Sequence, residues 1–390
     1  MIGKSNLNNL YPKSWKGNWR WVAICLLGLT LLTACSSVDP TRVGGLPSTV
    51  IPTTTRAINS LPAPTTVRPT PVVVTSTPGL IPTLEPTTTS SVTPTPDPYE
   101  NYTFDYLSGR PYGNGQLAIQ EVIEVNSYFT RTLITYPSDS LAIYGFMNTP
   151  QERPGRPGPP YPVIIALHGY IEPEVYNTLD YTTGYADTLA RAGYIVIHPN
   201  LRGYRPSDDG DNRFRVGMAI DVLNLIALVR QATGQPGALA LADGERIGLW
   251  GHSMGGGITT RVITVDPGIK AAVLYGAMSG DEQKNYERIY SYFSNGTRGL
   301  EELQTPEEAL RRISPVNFLE RIASAVSIHH GQEDLEVPLS WSVELCEQLK
   351  ELAKVVECFT YPDQPHTFQG EGSELFMQRV IDFYDRILRN

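Results

Sequence analysis

From residue 119 onward the apolar positions fall into short runs of two kinds. Residues 119–125, 130–136 and 141–147 are rich in β-branched and aromatic side chains with a period near two, which predicts three strands, with Pro137-Ser138-Asp139-Ser140 as the turn between the last two. Residues 163–167 are continuously apolar, the pattern of a strand buried on both faces of a parallel sheet. Further strands are predicted at 194–197, 246–250, 271–275, 325–328 and 355–360. Between them, helical spacing predicts helices at 183–192, 214–231, 254–265, 339–352 and 374–388; in 214–231 the apolar positions include Val216, Ile220, Leu223 and Ile226. Strands alternating with helices at this interval imply a doubly wound, mostly parallel α/β sheet covered on both faces. Residues 276–318 break the alternation: charged and helical only in pieces, they read as a small helical cap insertion containing Tyr286, Tyr290, Tyr292 and Phe293. Those tyrosines either pack the cap or line a substrate pocket.

The chain before residue 99 has a different character. Residues 36–98 hold 13 of the 32 prolines among Thr, Ser and Val, so the backbone lacks ladder donors and there is little large apolar surface to bury. Residues 35–98 are expected to form a disordered stalk, either an extended spacer or a plain tether. Residues 1–34 carry Lys4, Lys13, Lys16 and Arg20 ahead of an apolar run from Trp21 to Leu32, shorter than the ~20 residues that cross a bilayer, and read as a signal segment. The remainder, 99–390, is the expected globular domain.

Candidate chemistry centres on Gly251-His252-Ser253-Met254-Gly255, placed after a predicted strand and before a predicted helix. A strand-to-helix turn this tight needs small residues at its flanks and leaves the Ser253 hydroxyl at its apex. A serine becomes a nucleophile only when a base takes its proton and a third group orients that base. In such sheets the order along the chain is serine, acid, histidine. Of six histidines, His168, His198 and His252 precede Ser253, and His329 and His330 precede the acid candidate, which leaves His366. The acid candidate is Asp334, in the loop leaving the strand at 325–328; Glu333 and Glu336 are its neighbours.

Gly251 to Gly257, the loop Gly331-x-x-Asp334-x-x-Val337-Pro338, and Tyr361-Pro362 with His366 together resemble the catalytic domain of the prolyl-oligopeptidase family and its dienelactone-hydrolase-like relatives. The resemblance spans roughly residues 115–390 and implies an α/β-hydrolase fold. It implies a serine hydrolase that cleaves ester or peptide bonds through an acyl-enzyme, with Ser253, Asp334 and His366 as triad and the backbone N–H groups of Met254 and Tyr170 as oxyanion donors. The run from Gly251 to Gly257, with Gly169-Tyr170, is also similar to bacterial cutinase-type polyester hydrolases, more weakly so in the acid and histidine loops. Prolyl oligopeptidases carry in addition a propeller that filters peptides, for which 390 residues leave no room, so a carboxylesterase is expected as readily as a peptidase. A surface binding module that kept the fold without the chemistry is the alternative from another class. Leu32-Thr33-Ala34-Cys35 resembles the lipobox of bacterial lipoproteins, which implies cleavage before Cys35, lipidation of Cys35, and a chain anchored to the outer face of the cytoplasmic membrane; an uncleaved membrane anchor is the alternative.

The net charge of -9 argues against a nucleic-acid partner, and the acidic excess grows if the signal is removed. Asp208-Asp209-Gly210-Asp211-Asn212 lacks the ligand alternation and distal Glu of a calcium loop and reads as a solvated turn. No Cys/His cluster has metal-ligand spacing and no Gly-rich phosphate loop occurs, so no metal and no cofactor are expected. Cys346 and Cys358 are left, either as a disulfide or as two buried thiols.

Overall fold

The computed structural model describes residues 96–389. The signal segment, Cys35 and nearly all of the stalk lie outside the described residues. Asp97, inside the segment read as the end of the stalk, already belongs to the domain: its carboxylate pairs with Arg312 at 2.5 Å.

The first α-helix is one the sequence did not signal. Helix α1 (Phe104–Gly109) lies in a Tyr- and Gly-rich stretch, is capped by Thr103, whose hydroxyl accepts from Tyr106 N, and buries Phe104 and Leu107 in the core. Strands β1 (Ala118–Val125), β2 (Phe129–Ser138) and β3 (Leu141–Pro150) follow. β2 runs on through Pro137 and Ser138, so the turn shrinks to Asp139 and Ser140, with Asp139 at φ 55°. Next come β4 (Tyr161–Leu167), α2 (Thr183–Arg191), β5 (Ile195–Pro199), α3 (Val216–Ala232), β6 (Ala242–His252), α4 (Met254–Val265) and β7 (Ala271–Tyr275). The cap holds α5 (Glu282–Arg288), a π-helical turn at Ile289–Phe293, α6 (Leu300–Leu303) and α7 (Glu307–Ile313). The chain closes with β8 (Ala325–Gly331), α8 (Leu339–Glu351), β9 (Val356–Tyr361) and α9 (Gly370–Leu388).

The nine strands form one sheet in the order β1-β2-β3-β5-β4-β6-β7-β8-β9. The β1–β2, β2–β3 and β3–β5 pairs are antiparallel and every later pair is parallel. β4 shows why its sequence is uninterrupted by polar residues. Val163, Ile165 and Leu167 join the core under α3 and α4, while Ile164 and Ala166 join the core under α2 and α9. At ~1.5–3 kcal/mol for each large aliphatic side chain taken out of water, burial on both faces outweighs local propensity here. The chain leaves β4 first to β5 on one side and later to β6 on the other, so the carboxyl end of β4 is where the strand order reverses and where such sheets bind ligands.

Of the boundaries that differ from expectation, two do so for local reasons that bear on the site. α3 starts at Val216, two residues late, because Phe214 and Arg215 adopt positive φ (54° and 57°) to bury the Phe214 ring and bring the Arg215 guanidinium to Glu282. β6 extends two residues beyond Trp250, so His252 is still strand and the reversal is confined to Ser253.

Candidate active site

Ser253 follows the last residue of β6 and precedes α4, with φ 54° and ψ −116°, a backbone conformation that L-residues rarely occupy. Its peptide is pinned on three sides: Ser253 N donates to Tyr275 O at 2.9 Å, and Ser253 O accepts from Gly256 N and Met278 N, both at 3.0 Å. Only glycine fits beside it. A Cβ on Gly251 would lie 2.3 Å from Gly255 O, and one on Gly255 2.3 Å from Leu167 O. β6 and α4 thereby approach β4 closely enough to bring Ser253 against Gly169, the residue before Tyr170.

Asp334 and His366 meet. His366 Nδ1 donates to Asp334 Oδ2 at 2.7 Å, which leaves the Nε2 lone pair free to act as a base. The Asp334 side chain is wholly buried. Its Oδ1 accepts from Glu336 N and Val337 N, each at 2.9 Å, and its Oδ2 also accepts from His330 Nε2 at 3.1 Å. Burial alone would raise its pKa; the hydrogen bonds from His330, His366 and Val337 overcome that and hold the carboxyl well below the usual carboxylate range. The acid is therefore fixed as an anion.

His252 links the serine turn to the histidine loop. Its ring lies 4.5 Å from the His366 ring, centroid to centroid, and its Nε2 donates to His366 O at 3.0 Å. Nδ1 must then accept, and it does so from the Tyr181 hydroxyl. Burial, reinforced by the neighbouring His366, keeps His252 well below the ordinary histidine range and neutral. Among the described residues the Ser253 hydroxyl forms no hydrogen bond, as is common in catalytic sites without substrate.

The loop after β4 holds Tyr170. Its hydroxyl donates to Glu172 at 2.8 Å and accepts from Arg298, and the residue is 43% exposed, so the ring faces the surface. No hydrogen bond within the described residues occupies Met254 N or Tyr170 N, which are the two expected oxyanion donors. His168 is buried between the loops after β4 and β5, its ring nitrogens 2.7 Å from Gly169 O and 2.9 Å from Asn200 O, and the neutral ring donates to one of these carbonyls.

Residues 181–390 match the model of the prolyl oligopeptidase family. The chain belongs to the prolyl oligopeptidase family. It is a serine hydrolase of α/β-hydrolase fold, a peptidase or an esterase. An uncharacterized peptidase of Bacillus subtilis (strain 168), YtmA, is 27% identical over 257 residues, covering 64% of this chain and 91% of that protein. Solved structures share the fold. An acylaminoacyl peptidase of Pyrococcus horikoshii has a TM-score of 0.54 at 24% identity, over 68% of this chain, which spans only 43% of that one. An acetyl xylan esterase from Thermoanaerobacterium sp. JW/SL YS485 has a TM-score of 0.52 at 18% identity, over 73% of this chain and 92% of that one.

This family member has site residues that its sequence did not single out. Chain order excludes His330 as the base, yet it bonds Asp334; its spacing of four residues from the acid is the signal the sequence carries. His252 and Tyr181 gave no signal beyond the position of His252 inside the serine motif. In the cap, Tyr286 is a packing residue: it is buried against Phe214 and the Arg215 guanidinium. Tyr292 and Phe293 are 48% and 37% exposed. Two cap arginines reach the site's loops, Arg288 donating to Leu335 O and Glu336 O, and Arg298 to Tyr170. In the turn at 208–212, Asp208 accepts from Ala142 N and Asp211 from Tyr102, so these carboxylates brace loops. No group of His, Cys, Asp and Glu among the described residues could hold a metal ion.

Proposed function

We propose that this chain cleaves esters or short peptides by acyl transfer through Ser253, with His366 as general base and Asp334 as its orienting anion. His366 Nε2 takes the Ser253 proton as Oγ attacks the carbonyl carbon, and the N–H groups of Met254 and Tyr170 hold the oxyanion; each such donor contributes about 3–4 kcal/mol to the transition state. The imidazolium then gives the proton to the leaving atom. Water, deprotonated by the same nitrogen, hydrolyses the acyl-enzyme. The observation that carries the reading is the Asp334–His366 pair: the acid accepts from Nδ1 at 2.7 Å, fixing the tautomer in which Nε2 is basic. The strained Ser253 backbone and the family membership support it.

The proposed place of action is the outer face of a bacterial cytoplasmic membrane, with the enzyme held by a lipid on Cys35 and spaced by residues 35–98. Two things support it: the Leu32-Thr33-Ala34-Cys35 sequence, and the bond between Cys346 and Cys358, since disulfides persist in oxidising compartments.

The test compares the full chain with its Ser253→Ala variant on a short-chain p-nitrophenyl ester and on aminoacyl and prolyl p-nitroanilides. Turnover is expected to fall roughly 10⁶-fold in the variant. Ester cleavage without anilide cleavage makes this an esterase, efficient anilide cleavage a peptidase. Activity that survives in Ser253→Ala overturns the reading.

A further inference from the structure

A carboxylate at the mouth of the site lacks a cationic partner of its own. Asp334 is enclosed and bonded by four donors, whereas Glu336, two residues on, has a side chain 53% exposed with Oε2 3.7 Å from His366 Nε2. On the reading above, that nitrogen takes the Ser253 proton and passes it to the leaving atom. Among the described residues no lysine or arginine pairs with the Glu336 side chain; its one ionic neighbour is His366. Its backbone, by contrast, is held on both sides. Glu336 N donates to Asp334 Oδ1 at 2.9 Å, and Glu336 O accepts from Arg288 Nε at 3.0 Å. The carboxylate therefore extends from a backbone held in place and stands 3.7 Å from the nitrogen proposed to serve the scissile bond.

An anion there attracts positive charge in a bound substrate and repels negative charge, and the site's other anion, Asp334, is enclosed, with its oxygens already taken up by four donors. We propose that Glu336 is a specificity-determining residue that selects substrates carrying a positive charge beside the scissile bond. The class is esters or amides of cationic amino alcohols and amines, or acyl groups with a free α-ammonium; substrates with an anion at the same place are disfavoured. Because Nε2 serves the leaving atom, the leaving side is the first place to look. The inference rests on the proposed roles of Ser253 and His366.

The experiment uses the full chain, Glu336→Gln and Glu336→Lys with two matched pairs at low ionic strength. Acetylcholine and its uncharged carbon isostere, neohexyl acetate, differ by one charge on the leaving side; alanine and N-acetylalanine p-nitroanilide differ by one on the acyl side. The native chain is expected to favour the cationic member of at least one pair by about fivefold in kcat/KM, the scale of a half-exposed ion pair. That preference disappears in Glu336→Gln and reverses in Glu336→Lys, and the responding pair shows which side the carboxylate reads. Covalent labelling of Ser253 by a fluorophosphonate is followed in parallel, and both variants are expected to retain it. A charge preference that is unchanged in Glu336→Gln, or absent from a native chain that is labelled, overturns the inference while leaving the catalytic reading intact. An equal loss on charged and neutral members means the carboxylate serves only His366, and also overturns it. A native chain that is not labelled overturns the catalytic reading and this inference with it.

Discussion

The Asp334 carboxylate and the buried histidines around the site are held in opposite charge states by the same low-dielectric surroundings. Asp334 stays ionised because four donors outweigh its burial, so its contribution to stability is full above the unfolded value of 3.8 and is lost only as pH falls further. His198 and His252 are kept neutral by burial well below their ordinary value of 6.5, and His329 is pushed down to about 3. Once pH falls below 6.5 the unfolded chain binds protons that the folded chain refuses, so stability must decline from that point downward. Denaturant midpoints measured from pH 7.5 to 5, where the contribution of Asp334 is constant, are expected to fall steadily, with about two or more protons taken up per chain on unfolding. A flat profile would show that these rings are already protonated when folded. At this scale the sequence showed order but not contact. Ser253, Asp334 and His366 were legible as candidates because glycine spacing and chain order restrict the choices. The bonds from His330 to Asp334 and from His252 to His366 were not, because a linear pattern does not say which side chains meet across separate loops.

At the scale of elements, two fastenings hold the parts that carry the site. α8 and β9 are joined by Cys346–Cys358, twelve residues apart, and the chain leaving β9 leads directly into the His366 loop. Closing so short a loop is worth ~3 kcal/mol. Replacing both cysteines by serine is expected to lower unfolding free energy by about that amount in urea titration; a change below ~0.5 kcal/mol would mean the bond adds nothing to the native state. The cap is fastened differently: Glu282 on α5 is buried between Arg215 and Arg261, the latter on α4. Both guanidiniums depend on one carboxylate, so Glu282→Gln is expected to cost ~3–5 kcal/mol, seen as a fall in Tm. Retained Tm would show the arginines find other partners. Strands and long helices were legible through their periodicity. α1 was not, because a six-residue helix shows barely one repeat of helical spacing, and its cap Thr103 stands among turn-like residues. The cap's pairing with α4 and with the turn before α3 was equally hidden, because charges far apart in sequence form it.

For the whole molecule, the alternation of apolar runs and helical stretches was enough to indicate a doubly wound sheet, and the family match and structural neighbours agree with it. Neither alternation nor fold says whether the bond cleaved is an ester or an amide, because both reactions pass through the same oxyanion and the same histidine. Every proposed role in the site depends on Ser253 being an activated nucleophile. The measurement that tests it most directly is the intact mass of the full chain after treatment with a fluorophosphonate, beside Ser253→Ala and His366→Ala. A single adduct per native chain is expected, none on Ser253→Ala, and much slower labelling of His366→Ala. A native chain that stays unmodified, or an adduct that persists in Ser253→Ala, would contradict it.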